Sequence, residues 1–152
     1  FKLDGEQYAA ELAQVREVLE MLPLTQLPRT PDYMKGVINI RGSVVPVICL
    51  REKLGLTAAE YTVDTSIIVM DVEVGGSMMM IGCIADAVDE VLSIAGDEIE
   101  DAPSFGTSVD SSFITGIAKK DETFVILLDI YRVFEDDIAL NLEDHASVSG
   151  DA

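Results

Sequence analysis

Apolar, β-forming residues occur along this chain in short runs, each ended by glycine, proline or a pair of polar residues. The run over residues 36–50 is typical: Ile38 and Ile40 fall on one face of a predicted strand, and Asn39 and Arg41 fall on the other. Strands of this length, separated by turns about every 8–12 residues, are typical of small barrels or sandwiches. They do not indicate a parallel sheet with crossover helices.

The same pattern predicts a series of hairpins with short helices between them. Hairpins are predicted at Asp4-Gly5, at Gly42-Ser43, at Gly75-Gly76 and over 113–130. Between them we expect a helical turn from Ala13 before a strand over 18–21, and a short helix ended by Gly55. A C-terminal helix is predicted over 129–140, and Asp129 could cap it. Residues 141–152 are polar and small, and predict a flexible tail.

The chain also resembles itself. The motif VREVL at 15–19 recurs as VDEVL at 88–92, and residues 36–54 align without a gap on residues 116–134, at an offset of 80. We infer two related halves, over about 1–62 and 63–140, within one domain. Each half is predicted to be a small barrel, and strands could be exchanged between the halves. Chance similarity between β-rich segments is the alternative.

The second copy serves as an internal control for the first. Asp121 and Glu122 stand opposite Arg41 and Gly42, so the fold itself does not require arginine at this turn. Arg41 could be a solvated residue or the partner of a nearby acid. Alternatively, its guanidinium could bind a carboxylate or carbonyl of another protein. Pro46 cannot donate to a strand ladder, which predicts an edge or outward-facing strand.

Charge and composition exclude several classes of function. The chain has 28 acidic and 10 basic residues among 152, a formal charge of −18, which argues against binding nucleic acid or anionic lipid. No apolar run is long enough to span a membrane. Because the chain begins inside a predicted strand at Phe1, we expect part of the native N-terminus to be missing.

Candidate catalytic chemistry is equally sparse. His145 is the only histidine, so a histidine-based triad or a multi-histidine metal site is excluded, and no phosphate loop or dinucleotide motif occurs. Cys49 and Cys83 lie in apolar runs and predict buried free thiols; a disulfide is the alternative. We expect no enzyme activity, no cofactor and no metal.

The segment YMKGVINIRGSVVPVICLREKLGL, followed by IADAVDEVLSI and FITGIAKKDETFVILLDIYRVF, resembles the CheW family of chemotaxis coupling proteins. The resemblance covers about residues 1–134. It implies a mainly β fold of two five-stranded SH3-like barrels on a shared core. It also implies a non-catalytic cytoplasmic adaptor, recruited to membrane-receptor arrays, that joins the cytoplasmic tips of methyl-accepting chemoreceptors to the regulatory domain of the histidine kinase CheA. Other CheW-like domains are possible partners within arrays.

The resemblance further implies six receptor-facing positions: Val15, Glu17, Gly36, Arg41, Gly82 and Val91. For the valines and glycines, core packing or backbone geometry is the alternative. It implies no particular kinase-binding residues. Cys49 stands where the family commonly has an aspartate. Two other functions stay open: a CheW-like domain of a longer CheV or CheA protein, and a small-ligand-binding or hydrolytic barrel.

Overall fold

The computed structural model describes residues 1–74, 76–89, 91, 93–94, 96–101, 111–120 and 122–135. The predicted tail over 141–152, the end of the predicted C-terminal helix, Asp121 and Gly75 lie outside these residues. Ten strands are present within them: β1 Lys2–Leu3, β2 Glu6–Ala9, β3 Val15–Glu20, β4 Met34–Ile40, β5 Ser43–Cys49, β6 Ser66–Val74, β7 Ser77–Ala85, β8 Ile99–Glu100, β9 Ile114–Lys120 and β10 Thr123–Leu128.

Among the described residues, helical structure is confined to short segments. The α-helices are α1, Leu50–Lys53, and α2, residues 130–135; single 3₁₀ turns cover Leu12–Gln14, Gly96–Glu98 and Ser111–Phe113. The first of these turns agrees with the predicted helical turn near Ala13. Strand β3 begins three residues earlier than predicted. Residues 15, 17 and 19 are partly buried and residues 16, 18 and 20 are exposed, which is the alternation of a half-buried strand.

The strands form two five-stranded sheets. The first has the order β1-β2-β10-β9-β8, and the second has the order β3-β6-β7-β5-β4. The mainly β class with two five-stranded units is therefore confirmed, and the SH3-like closure of each unit stays a prediction. The boundary predicted near residue 62 falls inside the segment that builds the second sheet. The first sheet combines residues 2–9 with residues 99–128.

The two sheets share one plan of pairing. In each sheet, the second strand of one hairpin runs parallel to the second strand of another: β10 pairs with β2, and β5 pairs with β7. The registers of the aligned hairpins agree as well, because Gly36 faces Val47 and Gly116 faces Leu127. Each hairpin has a bulge one residue before its glycine. Residues that are 80 positions apart in the sequence therefore occupy equivalent places in the β4–β5 and β9–β10 hairpins.

Apolar side chains from both sheets meet in a shared core. Strand β6 alternates between this core and a second cluster: Ile68 and Met70 point to the shared core, and Ile67 and Val69 point to the opposite face. The second cluster also contains Ile38 and Ile40, as the alternation predicted. The fully buried members of the shared core include Leu3, Ile48, Leu50, Met70, Val72, Ile81, Ile130, Val133 and Phe134.

Strand β5 is not an edge strand, so the edge prediction drawn from Pro46 is wrong. β5 lies between β4 and β7, and Pro46 faces Val37 of β4. Val37 uses its N–H and its carbonyl for Thr25, at 2.9 and 3.0 Å, and therefore needs no donor from residue 46. Parallel pairing with β7 begins only at Val47. Proline is tolerated here because neither neighbour needs its missing N–H.

Two glycines allow a neighbouring chain segment to approach a strand closely. A Cβ atom on Gly36 would lie 2.5 Å from the carbonyl oxygen of Thr25, and the φ of Gly36 is +146°. A Cβ atom on Gly116 would lie 2.8 Å from the carbonyl oxygen of Glu100 and 2.6 Å from Cγ2 of Ile99. Equivalent positions of the two hairpins thus face the same steric constraint, which only glycine satisfies.

We predict that Gly36→Ala and Gly116→Ala each lower the free energy of unfolding by about 2–3 kcal/mol, because the added methyl group overlaps backbone atoms that cannot move without breaking strand pairing. Gly96→Ala is the matched control, since a Cβ atom there meets no atom within 4 Å. Urea titration of the three variants measures the differences. A change below about 0.5 kcal/mol at Gly36 would contradict the close approach.

Candidate functional site

A groove of about 770 Å³ runs between the two sheets. The linker between β2 and β3 forms one side of it, and the segment after β7 forms another. Most of the lining is apolar, including Tyr8, Val15, Val18, Ile68, Met70, Val88, Val91, Ile94, Ile99 and Leu127. Among the described residues that line it, the charged side chains are the carboxylates of Glu11, Asp89 and Asp129. The groove therefore suits an apolar surface better than an anionic one.

Two of the six predicted receptor-facing residues line this groove. Val15, at the start of β3, is half-buried and packs against the shared core. Val91 lies on the segment after β7, and 70% of its side chain is exposed. The structure thus brings together two valines that are 76 positions apart in the sequence. Val91 is free to contact another molecule, and Val15 also serves the core.

Two further predicted residues, Glu17 and Arg41, form an ion pair. Glu17 lies two residues along β3 from Val15, and Arg41 lies in the β4–β5 turn. Arg41 Nη1 donates to Glu17 Oε1 at 2.9 Å, and Nη2 donates to Oε2 at 3.2 Å. This bidentate geometry is the strong form of an arginine–carboxylate pair. It joins the two edge strands of the second sheet, which are 24 residues apart at this point.

The turn that carries Arg41 differs by one residue from the prediction. Arg41 and Gly42 are its central residues, with φ values of +48° and +88°, so the turn is Arg41-Gly42 and not Gly42-Ser43. Positive φ at both positions defines the type I′ turn that matches strand twist in two-residue hairpins. The N–H of Gly42 donates to Asn39 Oδ1 at 2.8 Å, which holds the turn. Arg41 consequently projects outward, with 74% of its side chain exposed.

The ion pair shifts the protonation equilibria of both partners. Hydrogen bonds from Arg41 lower the pKa of Glu17, and the charge of Arg16 adds to this effect. The same bonds raise the pKa of Arg41. Of the interpretations given for Arg41, pairing with a nearby acid is confirmed. The sequence identified both residues separately but contained no signal of their contact, because it depends on how β3 and the β4–β5 turn are placed.

Gly36 and Gly82 are buried, unlike the other four residues. Gly36 is covered by the backbone of Thr25, and a Cβ atom on Gly82 would lie 3.0 and 3.2 Å from methyl groups of Ile67 and Val47. The glycines therefore permit close packing within the second sheet. Neither presents a side-chain surface to another molecule, which supports the backbone alternative for both.

The cysteines are both buried and unoxidised, as predicted. Burial raises the pKa of the Cys49 thiol, which disfavours the reactive thiolate. Cys49 precedes α1 without forming a side-chain cap, whereas Asp129 Oδ1 accepts a hydrogen bond from the N–H of Arg132 at 3.2 Å and so caps α2. The two aligned positions thus differ, because Asp129 caps its helix and Cys49 does not.

In the part of the chain that the structure describes, no group of three or more histidine, cysteine, aspartate or glutamate side chains could hold a metal ion. Within that part, none of the helices has the length and apolar character needed to cross a membrane.

The Glu17–Arg41 pair predicts the direction of a measurable titration shift. The Glu17 carboxyl should titrate below the usual glutamate range in the intact chain, and Arg41→Gln should move its pKa back toward that range. Carboxyl-carbon NMR over pH 2–7 measures both values. Arg132→Gln, which removes an exposed arginine elsewhere, is the control. An unchanged Glu17 titration in Arg41→Gln would show that the pair does not persist in solution.

Comparison with known proteins identifies the family. The CheW-like domain family matches residues 1–137. The chemotaxis protein CheW of Bacillus subtilis is 34% identical over 139 residues, covering 89% of this chain and 84% of that protein. The chemotaxis protein CheW of Klebsiella aerogenes is 32% identical over 133 residues, covering 88% and 78%.

A solved structure agrees with these relatives. The crystal structure of the scaffolding protein CheW from Thermoanaerobacter tengcongensis superposes with a TM-score of 0.78 at 35% identity, covering 88% of this chain and 84% of that one. Fold, sequence and the order of the motifs therefore lead to one conclusion. The chain belongs to the CheW-like family and has the role of a chemotaxis adaptor.

Proposed function

We propose that this chain is a non-catalytic coupling protein that joins the cytoplasmic tips of chemoreceptors to the histidine kinase CheA. The single observation that carries the proposal is that one edge strand, β3, bears both features. Val15 and Val18 line the apolar groove on one face of β3, and Glu17 pairs with Arg41 on the other face. The relatives named as chemotaxis proteins, and the solved neighbour named as a scaffolding protein, support the same role. The ligand-binding and hydrolytic alternatives are not favoured.

The receptor is proposed to dock along β3, with apolar contacts in the groove. A groove lined by valine, isoleucine and tyrosine side chains accepts a row of apolar side chains from a partner helix or strand. Val91 offers an exposed apolar side chain to the receptor, and the half-buried Val15 at the start of β3 forms part of the groove floor. Gly36 and Gly82 act indirectly in this proposal, by keeping the second sheet packed so that β3 and the β4–β5 turn hold their places.

Arg41 can take part in docking while it remains paired with Glu17. A guanidinium has five N–H donors, and the two bonds to Glu17 use two of them. The others face solvent on an exposed side chain and can bind a receptor carboxylate or backbone carbonyl. Glu17 orients the guanidinium beforehand, which reduces the entropy lost when a partner binds.

The kinase is proposed to bind elsewhere, mainly through apolar contacts. Lys35 forms an ion pair with Glu52, and Arg51 forms one with Asp86. Lys53 lies over the ring of Tyr33, 4.5 Å from its centre. These basic side chains near α1 already interact within the chain, so attraction between this patch and an acidic partner is weakened. Recruitment to membrane-receptor arrays in the cytoplasm, and contact with other CheW-like domains there, follow from the same proposal.

Variants of the Glu17–Arg41 pair test receptor docking. Arg41→Asp should weaken binding of a receptor cytoplasmic fragment at least about tenfold, the equivalent of one charge-assisted hydrogen bond. Its thermal midpoint should stay within a few degrees of the parent, because an exposed pair adds little stability. Affinity for the kinase regulatory domain should not change. Isothermal titration against each partner gives the affinities.

The double variant Glu17→Arg with Arg41→Asp separates the two uses of Arg41. It restores an internal ion pair with reversed polarity but presents no arginine at the turn. We expect receptor binding to remain weak in the double variant. Recovery of parental affinity would show that Arg41 serves Glu17 alone, and unfolding of Arg41→Asp would show that the residue is structural. Glu17→Gln, which keeps Arg41, should lose less affinity than Arg41→Asp.

Salt dependence tests the mode of kinase binding. The net charge of −18 opposes association with another acidic protein at low ionic strength, and salt screens that repulsion. We predict that affinity for the kinase regulatory domain holds or rises modestly between about 50 and 300 mM salt, over which the Debye length roughly halves. A steep fall in affinity would show that ion pairs dominate the contact.

A further inference from the structure

A second arginine–carboxylate contact, away from the Glu17–Arg41 pair, lies where the second sheet meets the first. Arg51, on α1, donates from Nε to Asp86 Oδ1 and Oδ2 at 2.8 and 3.0 Å, and from Nη2 to Oδ2 at 2.6 Å. Its Nη1 donates to the carbonyl oxygen of Thr57 at 3.0 Å. The side chain of Arg51 is 16% exposed, against 74% for Arg41, so this guanidinium is far better shielded from water, whereas the side chain of Asp86 is 32% exposed.

Asp86 extends the contact to the first sheet. The backbone N–H of Asp4, in the β1–β2 turn, donates to Asp86 Oδ2 at 2.8 Å. Arg51 Nη1 lies 3.7 Å from Asp4 Oδ1. Backbone bonds reinforce the junction, because the N–H of Lys2 donates to the carbonyl of Ala87 at 2.8 Å and the N–H of Asp86 donates to the carbonyl of Lys2 at 3.0 Å. We call Arg51, Asp86 and Asp4 the polar clamp.

The polar clamp holds the two segments that form walls of the groove. Val88, Asp89 and Val91 follow Asp86 directly, and all three line the groove. The β1–β2 hairpin supplies further lining residues, including Tyr8. The shared apolar core holds the sheets together, but apolar contact is not directional. A bidentate arginine–carboxylate contact fixes both distance and orientation.

We propose that Asp86 and Arg51 are positioning residues for receptor docking, which set the spacing between the β1–β2 hairpin and the segment over 86–91 and thereby the shape of the groove. This inference rests on the proposed use of the groove by the receptor. Neither residue needs to contact the receptor. Loss of the clamp leaves the shared core in place and lets the groove walls shift relative to each other, so that Val91 and Val15 no longer present one continuous surface.

The test uses Asp86→Asn, which keeps the size of the side chain and an acceptor for the N–H of Asp4 but removes the charge, and Arg51→Lys, which keeps the charge but removes the planar fork. Asp71→Asn is the matched control. Asp71 accepts from Arg16 Nε at 3.0 and 3.3 Å within the second sheet alone, so the same chemical change is made without touching the junction between sheets.

Two measurements distinguish positioning from simple stabilisation. Spin labels at Val44→Cys and Phe124→Cys, both exposed and on different sheets, report the distance between the sheets by pulsed electron resonance. Titration with a receptor cytoplasmic fragment reports docking. We expect both clamp variants, examined at a temperature where circular dichroism shows them folded, to shift or broaden the distance distribution and to bind the fragment at least fivefold more weakly. Asp71→Asn should match the parent in both measurements.

Each outcome decides the inference. If the folded clamp variants keep the parental distance distribution, or bind the fragment with parental affinity, the clamp does not position the groove and the inference is wrong. If Asp71→Asn shows the same losses as Asp86→Asn, the effect is one of general stability, and the inference is also wrong. If the parent itself does not bind the fragment, the proposed function fails first, and the inference fails with it for a different, recognisable reason.

Discussion

Burial of both faces of β6 and β7 is the constraint on which the rest of this structure depends. One face packs into the shared core with residues of the first sheet, and the other face packs into the second cluster with Ile38, Val45 and Val47. A strand buried on both sides needs apolar residues at every position, and residues 67–70 meet this requirement. The groove lies where the first sheet meets this face, and the buried Ile68 and Met70 form part of its lining.

Polar contacts then determine how the edges of this apolar assembly are arranged. The Glu17–Arg41 pair connects the two edge strands of the second sheet, and the Asp86–Arg51 contact connects that sheet to the β1–β2 turn. The two pairs differ in environment. The first lies at an exposed turn, where a net gain in stability is small. The second is partly buried, and removal of Asp86 would leave the mostly buried guanidinium of Arg51 without its carboxylate partner.

Much of the fold could be predicted from the sequence because local signals determine it. Glycine and polar pairs marked the hairpin turns, with a one-residue error at Arg41-Gly42, and the internal alignment gave the common register of the β4–β5 and β9–β10 hairpins. The capping role of Asp129 followed from its position before a helical run. Membership of the CheW-like family followed from the motifs, and the family comparison confirmed it.

Features that depend on distant parts of the chain could not be predicted in this way. The contact of Glu17 with Arg41 depends on how two edge strands are placed, and a one-dimensional pattern contains no information on that distance. The edge prediction from Pro46 is wrong because its neighbour Val37 bonds to Thr25, a residue outside any predicted strand. The contact of Asp86 with Arg51 could not be predicted for the same reason, since nothing in the sequence distinguishes Asp86 from the other acidic residues, 28 in all.

The parallel pairing of β2 with β10 has a consequence for the order in which the chain can fold during its synthesis. Gln7 pairs with Val125, so β2 leaves the ribosome more than a hundred residues before the strand that completes its sheet. The second sheet needs only residues 15–85, and it can form earlier. Until β10 arrives, the second sheet would expose the apolar side chains that later form the shared core. The nascent chain is therefore most open to aggregation, and most dependent on chaperones, during this interval.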